Sequence, residues 1–139
     1  MTRFVIGPEV AVRLSRERVA IPDAHQLFAP ALLRSQVLAL LYRAVRGGEM
    51  TRRDAERHLT YVRGLRIRLL GDRVLQDVAW SVAEQLGWPD TLDAEYVALT
   101  QLQADALITF DEVLAHAVQG LVTVAPFDVL AAPVPGGGA

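Results

Sequence analysis

Thr91-Leu92-Asp93-Ala94-Glu95-Tyr96-Val97-Ala98-Leu99, followed by Ala106-Leu107-Ile108-Thr109-Phe110-Asp111, reads as a helix that delivers the chain into a short apolar strand. The helix runs from Thr91 to about Gln103 and the strand from Ala106 to Thr109. A continuous apolar strand with no polar alternation is one covered on both faces, as in a parallel sheet. Outward from this unit the same grammar repeats. Arg3-Phe4-Val5-Ile6 is a buried strand closed by Gly7-Pro8, and Pro8 to Leu14 starts a helix, because Pro is tolerated in a first turn. Leu27 to Ala29 forms a second short strand. Ala31 to Val45 is a long helix, with Leu33, Val37, Leu40, Leu41, Ala44 and Val45 on one stripe, and Gly47-Gly48 ends it.

Thr51 to Val62 is a further helix. Thr51 is its N-cap, Asp54 completes a near capping box, and Arg52, Arg53 and Arg57 decorate the outer face. Ile67-Arg68-Leu69-Leu70 is a strand. Gly71 or Asp72 opens a helix through Val74, Val78, Val82 and Leu86, ended by Gly87 and Pro89. Asp111 to Val118 is a short helix and Leu121 to Val124 a last strand. Strands alternating with helices predict an α/β fold with a mostly parallel sheet covered on both faces. Neither a repeat nor a linker divides the chain, so residues 1–130 read as one domain and 131–139, rich in Pro and Gly, as a flexible tail.

Composition narrows the function classes. The chain has 139 residues, enough to bury one core. It contains no cysteine, which excludes a disulfide framework, a thiolate nucleophile and a Cys-based zinc site. No apolar run approaches the ~20 residues of a membrane span, and no secretory signal is legible, so a cytoplasmic protein is expected. Charge is unevenly spread. All 14 bases are Arg and the last is Arg73. Residues 1–73 carry 14 Arg against 7 acids, whereas residues 74–139 carry 9 acids and no base. The Arg-rich half is suited to phosphate or an acidic partner; alternatively, the halves neutralise each other.

In open parallel sheets, ligands bind at the carboxyl ends of the strands. Gly7 follows the first strand, Asp111 the fourth, and Asp93 opens the helix before the fourth. If the first and fourth strands are neighbours, these positions share a crevice, and Gln36 faces it from the first long helix. Carboxylates converging there would hold Mg²⁺ or Mn²⁺, hard cations that prefer oxygen ligands. Such a metal could activate water against a phosphodiester. Asp93 and Asp111 also have a plainer reading as helix N-caps, and Gln36 as a buried amide. His25, His58 and His116 show no ligand spacing or nucleophile partner. No nucleophile elbow or phosphate loop is present.

From about Arg3 to Leu130 the chain resembles a PIN domain of the VapC toxin type. The resemblance rests on Phe4-Val5-Ile6-Gly7-Pro8-Glu9-Val10, on Phe28-Ala29-Pro30-Ala31-Leu32-Leu33-Arg34-Ser35-Gln36-Val37, and on the two segments quoted first. It implies a three-layer α/β/α sandwich with a parallel, about five-stranded sheet. It further implies Mg²⁺-dependent endoribonuclease activity, inhibition by a small antitoxin protein, and often a homodimer. By position, Asp93 and Asp111 would be catalytic metal ligands. The family has acids where this chain has Gly7 and Gln36, so the site is degenerate. Glu9 and Glu112 are the candidates to compensate. The expectation is an impaired ribonuclease, or a non-catalytic module that sequesters an antitoxin or contacts RNA through its Arg-rich half.

Overall fold

The computed structural model describes residues 1–131. Five parallel strands form one sheet: β1 (Thr2–Ile6), β2 (His25–Pro30), β3 (Ile67–Leu70), β4 (Ala106–Ile108) and β5 (Val124–Ala125), in the order β3-β2-β1-β4-β5. The helices are α1 (Pro8–Glu17), α2 (Leu33–Arg46), α3 (Arg52–Gly64), α4 (Arg73–Leu86), α5 (Leu92–Gln103), α6 (Glu112–Ala117) and α7 (Asp128–Ala131). Helices α1, α2 and α3 pack on one another, as do α4 and α5. The result is the expected three-layer α/β/α arrangement, with the sheet in the middle.

The apolar strands are central because they carry little polar surface to solvate. Val5, Ile6, Leu107 and Ile108 are almost wholly buried. α5 is buried nearly all round, from Ala94 through Thr100, as befits a helix packed against both α4 and the sheet. In that stretch Thr100 donates its hydroxyl to the Tyr96 carbonyl at 2.8 Å, so its burial leaves nothing unsatisfied. In α2, Leu33, Val37, Leu41 and Ala44 are buried as the stripe requires, while Leu40 and Val45 are half-buried.

The capping signals are realised at α3 and α4. Thr51 accepts from the Asp54 amide at 3.1 Å and Asp54 accepts from the Thr51 amide at 3.3 Å. Asp72 caps α4 by accepting from the Leu75 amide at 2.9 Å. Gly87 closes α4 at φ +66°, a left-handed position where a side chain would be strained.

The end of the chain departs from expectation. The last strand is Val124–Ala125, not Leu121–Val124. The Leu121 and Val122 amides both return to the Val118 carbonyl, so those two residues close a turn after α6 and reach the sheet late. The expected tail also starts one residue too early, because Ala131 completes the short helix α7. The rest of that tail lies outside the described residues.

Candidate active site

β1 pairs directly with β4, with Phe4 opposite Ala106, Val5 opposite Leu107 and Ile6 opposite Ile108. The strand order reverses between them, since β2 lies on one side of β1 and β4 on the other. A crevice opens at the carboxyl ends of such a pair. Gly7 leaves β1 there, and its amide reaches the Ile108 carbonyl at 3.4 Å. Asp111 follows β4 by three residues.

Three helices begin at this crevice: α1 at Pro8, α5 at Leu92 and α6 at Glu112. The positive ends of the longer two, α1 and α5, favour acids in their first turns, and those turns contain Glu9 and Asp93. Asp111 caps α6, accepting from the Leu114 amide at 3.0 Å, so the cap reading holds for that residue. Asp93 is not a cap. It lies inside α5, behind Thr91, and the Leu92 amide is taken by Asp90 at 3.0 Å.

The charges at the mouth interact. Burial pushes the Asp93 carboxyl above the usual carboxylate range, and Asp111, Asp90 and Glu9 push it further in that order. Asp93 is itself solvent-exposed, so solvent screens much of this penalty. Glu112 is not among the charges that raise it; this residue stands exposed at the start of α6. Glu9 is better placed. A Cβ built on Gly7 would lie 3.9 Å from the Glu9 Oε2, so the Glu9 carboxylate borders the space that a side chain at position 7 would fill.

Gln36 is held from below. The Tyr96 hydroxyl donates to Gln36 Oε1 at 2.5 Å. Tyr96 is 3% exposed, and burial, then Glu9, Glu95 and Asp93, raise its phenol far above the ordinary value. It therefore stays protonated and keeps donating, and the Gln36 carbonyl is committed to it. Tyr96 and Asp90 are the site residues that sequence reasoning missed. Tyr96 stands three residues after Asp93, one helical turn along the same face, which is the signal that marks it.

As placed, these residues do not fit a resident divalent cation. Among the described residues, no group of three or more His, Asp or Glu side chains is spaced to share a metal. Asp93 and Asp111 are acids, but Gly7 has no side chain and the Gln36 carbonyl is engaged by Tyr96.

A raised carboxyl pKa has a thermodynamic consequence. Folded Asp93 holds its proton more tightly than the unfolded chain does, so its contribution is most favourable below the unfolded value, near pH 3.8, and is lost as pH rises through the folded value. At neutral pH its ionisation costs stability. Asp93→Asn is expected to raise the melting temperature at pH 7 by about 1–3 °C, and the gain should shrink as pH falls towards 4. A melting series from pH 4 to 7 checks this; a destabilised variant at pH 7 would contradict it.

The expected absence of a histidine partner needs correction. Ser15 Oγ lies 2.6 Å from His58 Nδ1, joining α1 to α3. Ser15 is 4% exposed in mid-helix, which bars it from reaching a substrate, and the pair serves packing. Burial first, and Arg16 next, hold the His58 pKa down.

Among solved structures, the chain is similar to PAE2754 from Pyrobaculum aerophilum, with a TM-score of 0.72 and 21% identity over 94% of this chain and 93% of that one. It is also similar to VapBC-1 from nontypeable Haemophilus influenzae, with a TM-score of 0.59 and 12% identity over 91% and 98%. VapBC2 from Rickettsia felis, bound to a DNA fragment from its promoter, gives a TM-score of 0.56 and 11% identity over 89% and 98%. The chain has a PIN-like fold. At these identities the likeness concerns the fold. No family model matches the chain, and no curated protein matches it in sequence. Within the PIN-like frame, the acidic crevice lies where strand order reverses, with Gly7 and Gln36 as its neutral members.

Proposed function

We propose that the chain is a protein of VapC-like toxin–antitoxin ancestry, of the Mg²⁺-dependent endoribonuclease type, whose catalytic centre is impaired. The observation that carries this reading is the pair of neutral positions on the crevice. Gly7 supplies no ligand, and the Gln36 carbonyl is spent on the Tyr96 hydroxyl. Hard-cation affinity follows the number of charged oxygen ligands. Two acids, Asp93 and Asp111, with Glu9 alongside, hold Mg²⁺ or Mn²⁺ weakly. In this reading Asp93 and Asp111 are the remaining catalytic ligands, residues 1–130 are one PIN-like domain, RNA is the ancestral substrate, and a small antitoxin is the partner. No helix among the described residues is long and apolar enough to cross a membrane, which accords with a cytoplasmic protein.

A second reading, a non-catalytic module that contacts RNA through the Arg-rich half, has its own support. The three ion pairs among the described residues are Arg13–Glu17, Arg52–Glu56 and Arg57–Asp54. All lie in the Arg-rich half, so none joins the two halves, and most guanidiniums remain free for phosphate. RNA cleavage assays with Mg²⁺ or Mn²⁺ test the first reading. The native chain is expected to cut little above a protein-free control, and Asp93→Asn should change that rate by less than about twofold. Robust native cleavage abolished by Asp93→Asn would overturn it.

A further inference from the structure

Beside the acidic crevice stands an aromatic lip that metal binding does not use. Phe110 lies between β4 and Asp111, the residue that caps α6. The Asp111 amide donates to Thr109 Oγ1 at 3.1 Å, which closes a short turn with Phe110 at its middle. The ring is 43% exposed. It leans on Phe127, with 5.3 Å between centroids and 41° between planes. Phe127 in turn packs against the core, so the exposed ring has a fixed support.

Arg13 joins the two rings. Its guanidinium carbon lies 5.5 Å from the Phe110 centroid and 5.8 Å from that of Phe127, within reach of a cation–π contact. A guanidinium has five N–H donors, and Glu17 takes the one on Nε. Arg13 stands one turn beyond Glu9 on α1, so the two share a face. The Glu9 carboxylate borders the space at position 7. Two segments thus tie the lip to the crevice, α1 through Glu9 and the end of β4 through Asp111.

A lone exposed phenylalanine needs no explanation. This one stands beside a guanidinium and next to the acids of the crevice. Those acids repel one another and would repel a phosphate as well, so a strand crossing the mouth has to be held by other groups. An aromatic face stacks with any base, and a guanidinium pairs with phosphate. We infer that Phe110 is a stacking platform for an unpaired base of single-stranded RNA, with Phe127 as its support and Arg13 as the contact to the strand's phosphate. The inference rests on the reading of RNA as the strand that reaches the crevice, and it does not depend on cleavage.

The full chain in EDTA, where cleavage plays no part, is titrated with fluorescein-labelled hexauridylate and with an abasic hexamer of the same ribose-phosphate backbone, read by anisotropy. The native chain should bind hexauridylate at least about fivefold more tightly than the abasic strand, the effect of one stacked base. Phe110→Ala should remove most of that preference, and Phe110→Tyr should keep it within about twofold. Arg13→Gln should weaken both strands alike and flatten the dependence on salt. Tyr42→Ala, which removes an exposed ring from α2, should change neither. If Phe110→Ala melts early, Phe110→Leu decides, because it keeps an apolar contact with Phe127 and has no π face; it should lose the preference as Phe110→Ala does. RNA binding without a preference for bases, or a preference that survives Phe110→Leu, overturns the platform and leaves the RNA reading standing. Binding of neither strand overturns both.

Discussion

Gly7→Asp/Gln36→Glu is expected to bind Mn²⁺ at least about a hundredfold more tightly than the native chain. Each substitution adds a carboxylate to a mouth that already gathers Asp93, Asp111, Asp90 and Glu9. The backbone accepts both. Gly7 sits at φ −80°, an ordinary value for any residue, and the nearest atom to a new Cβ is 3.9 Å away. As the residue before α1, an Asp there would also cap a helix that now lacks a side-chain cap, just as Asp111 caps α6. A Glu at position 36 can still accept from Tyr96, now as a charge-assisted bond. Without metal, the added charges repel one another and raise the Asp93 pKa further. The double variant should therefore melt below the native chain in EDTA and gain stability on adding Mn²⁺. Calorimetric titration and melting curves read both effects. Equal Mn²⁺ affinity in the two chains would mean that positions 7 and 36 do not face the crevice.

The second large effect concerns the strand that carries Asp111. Leu107 is 1% exposed at the centre of β4, in register with Val5 on one side and Val124 on the other. Leu107→Ala removes a buried side chain and leaves a cavity, at a cost of about 2–5 kcal/mol. Domains of this size have about 5–15 kcal/mol in total, so the urea midpoint should fall steeply. Leu102→Ala is the control. That residue is 40% exposed on α5, and its loss should move the midpoint little. Equal shifts in the two variants would contradict the placement of β4 in the core.

The reading of the fold from sequence succeeded where physics is local. Val5, Ile6, Leu107 and Ile108 sit in apolar runs without alternation, and burial on both faces is the simplest way to accommodate them. Thr51 and Asp72 announce helix starts through bonds made within three residues. The last strand was misplaced because Leu121 and Val122 are as apolar as any strand residue, and only the turn back to Val118 keeps them off the sheet. α7 is a single turn with no periodicity to read.

The site was legible in part. The position of Asp111 after an apolar strand, and of Asp93 at a helix start, follows from the alternation of elements. That β1 neighbours β4 is a matter of topology, and it is what brings Gly7 beside them. The Tyr96–Gln36 bond spans 60 positions in the chain, and no local pattern announces it. The Ser15–His58 contact escaped for the same reason, across 43 positions. Long-range pairs of polar groups are set by how helices dock.

The most direct test compares RNA cleavage by the native chain and by Gly7→Asp/Gln36→Glu at equal concentration in Mn²⁺. If two carboxylates are too few, only the double variant cuts appreciably, and adding Asp93→Asn to it abolishes the cutting. Vigorous cleavage by the native chain, unchanged by restoring the two acids and lost with Asp93→Asn, would show that Asp93, Asp111 and Glu9 suffice and that the centre is intact.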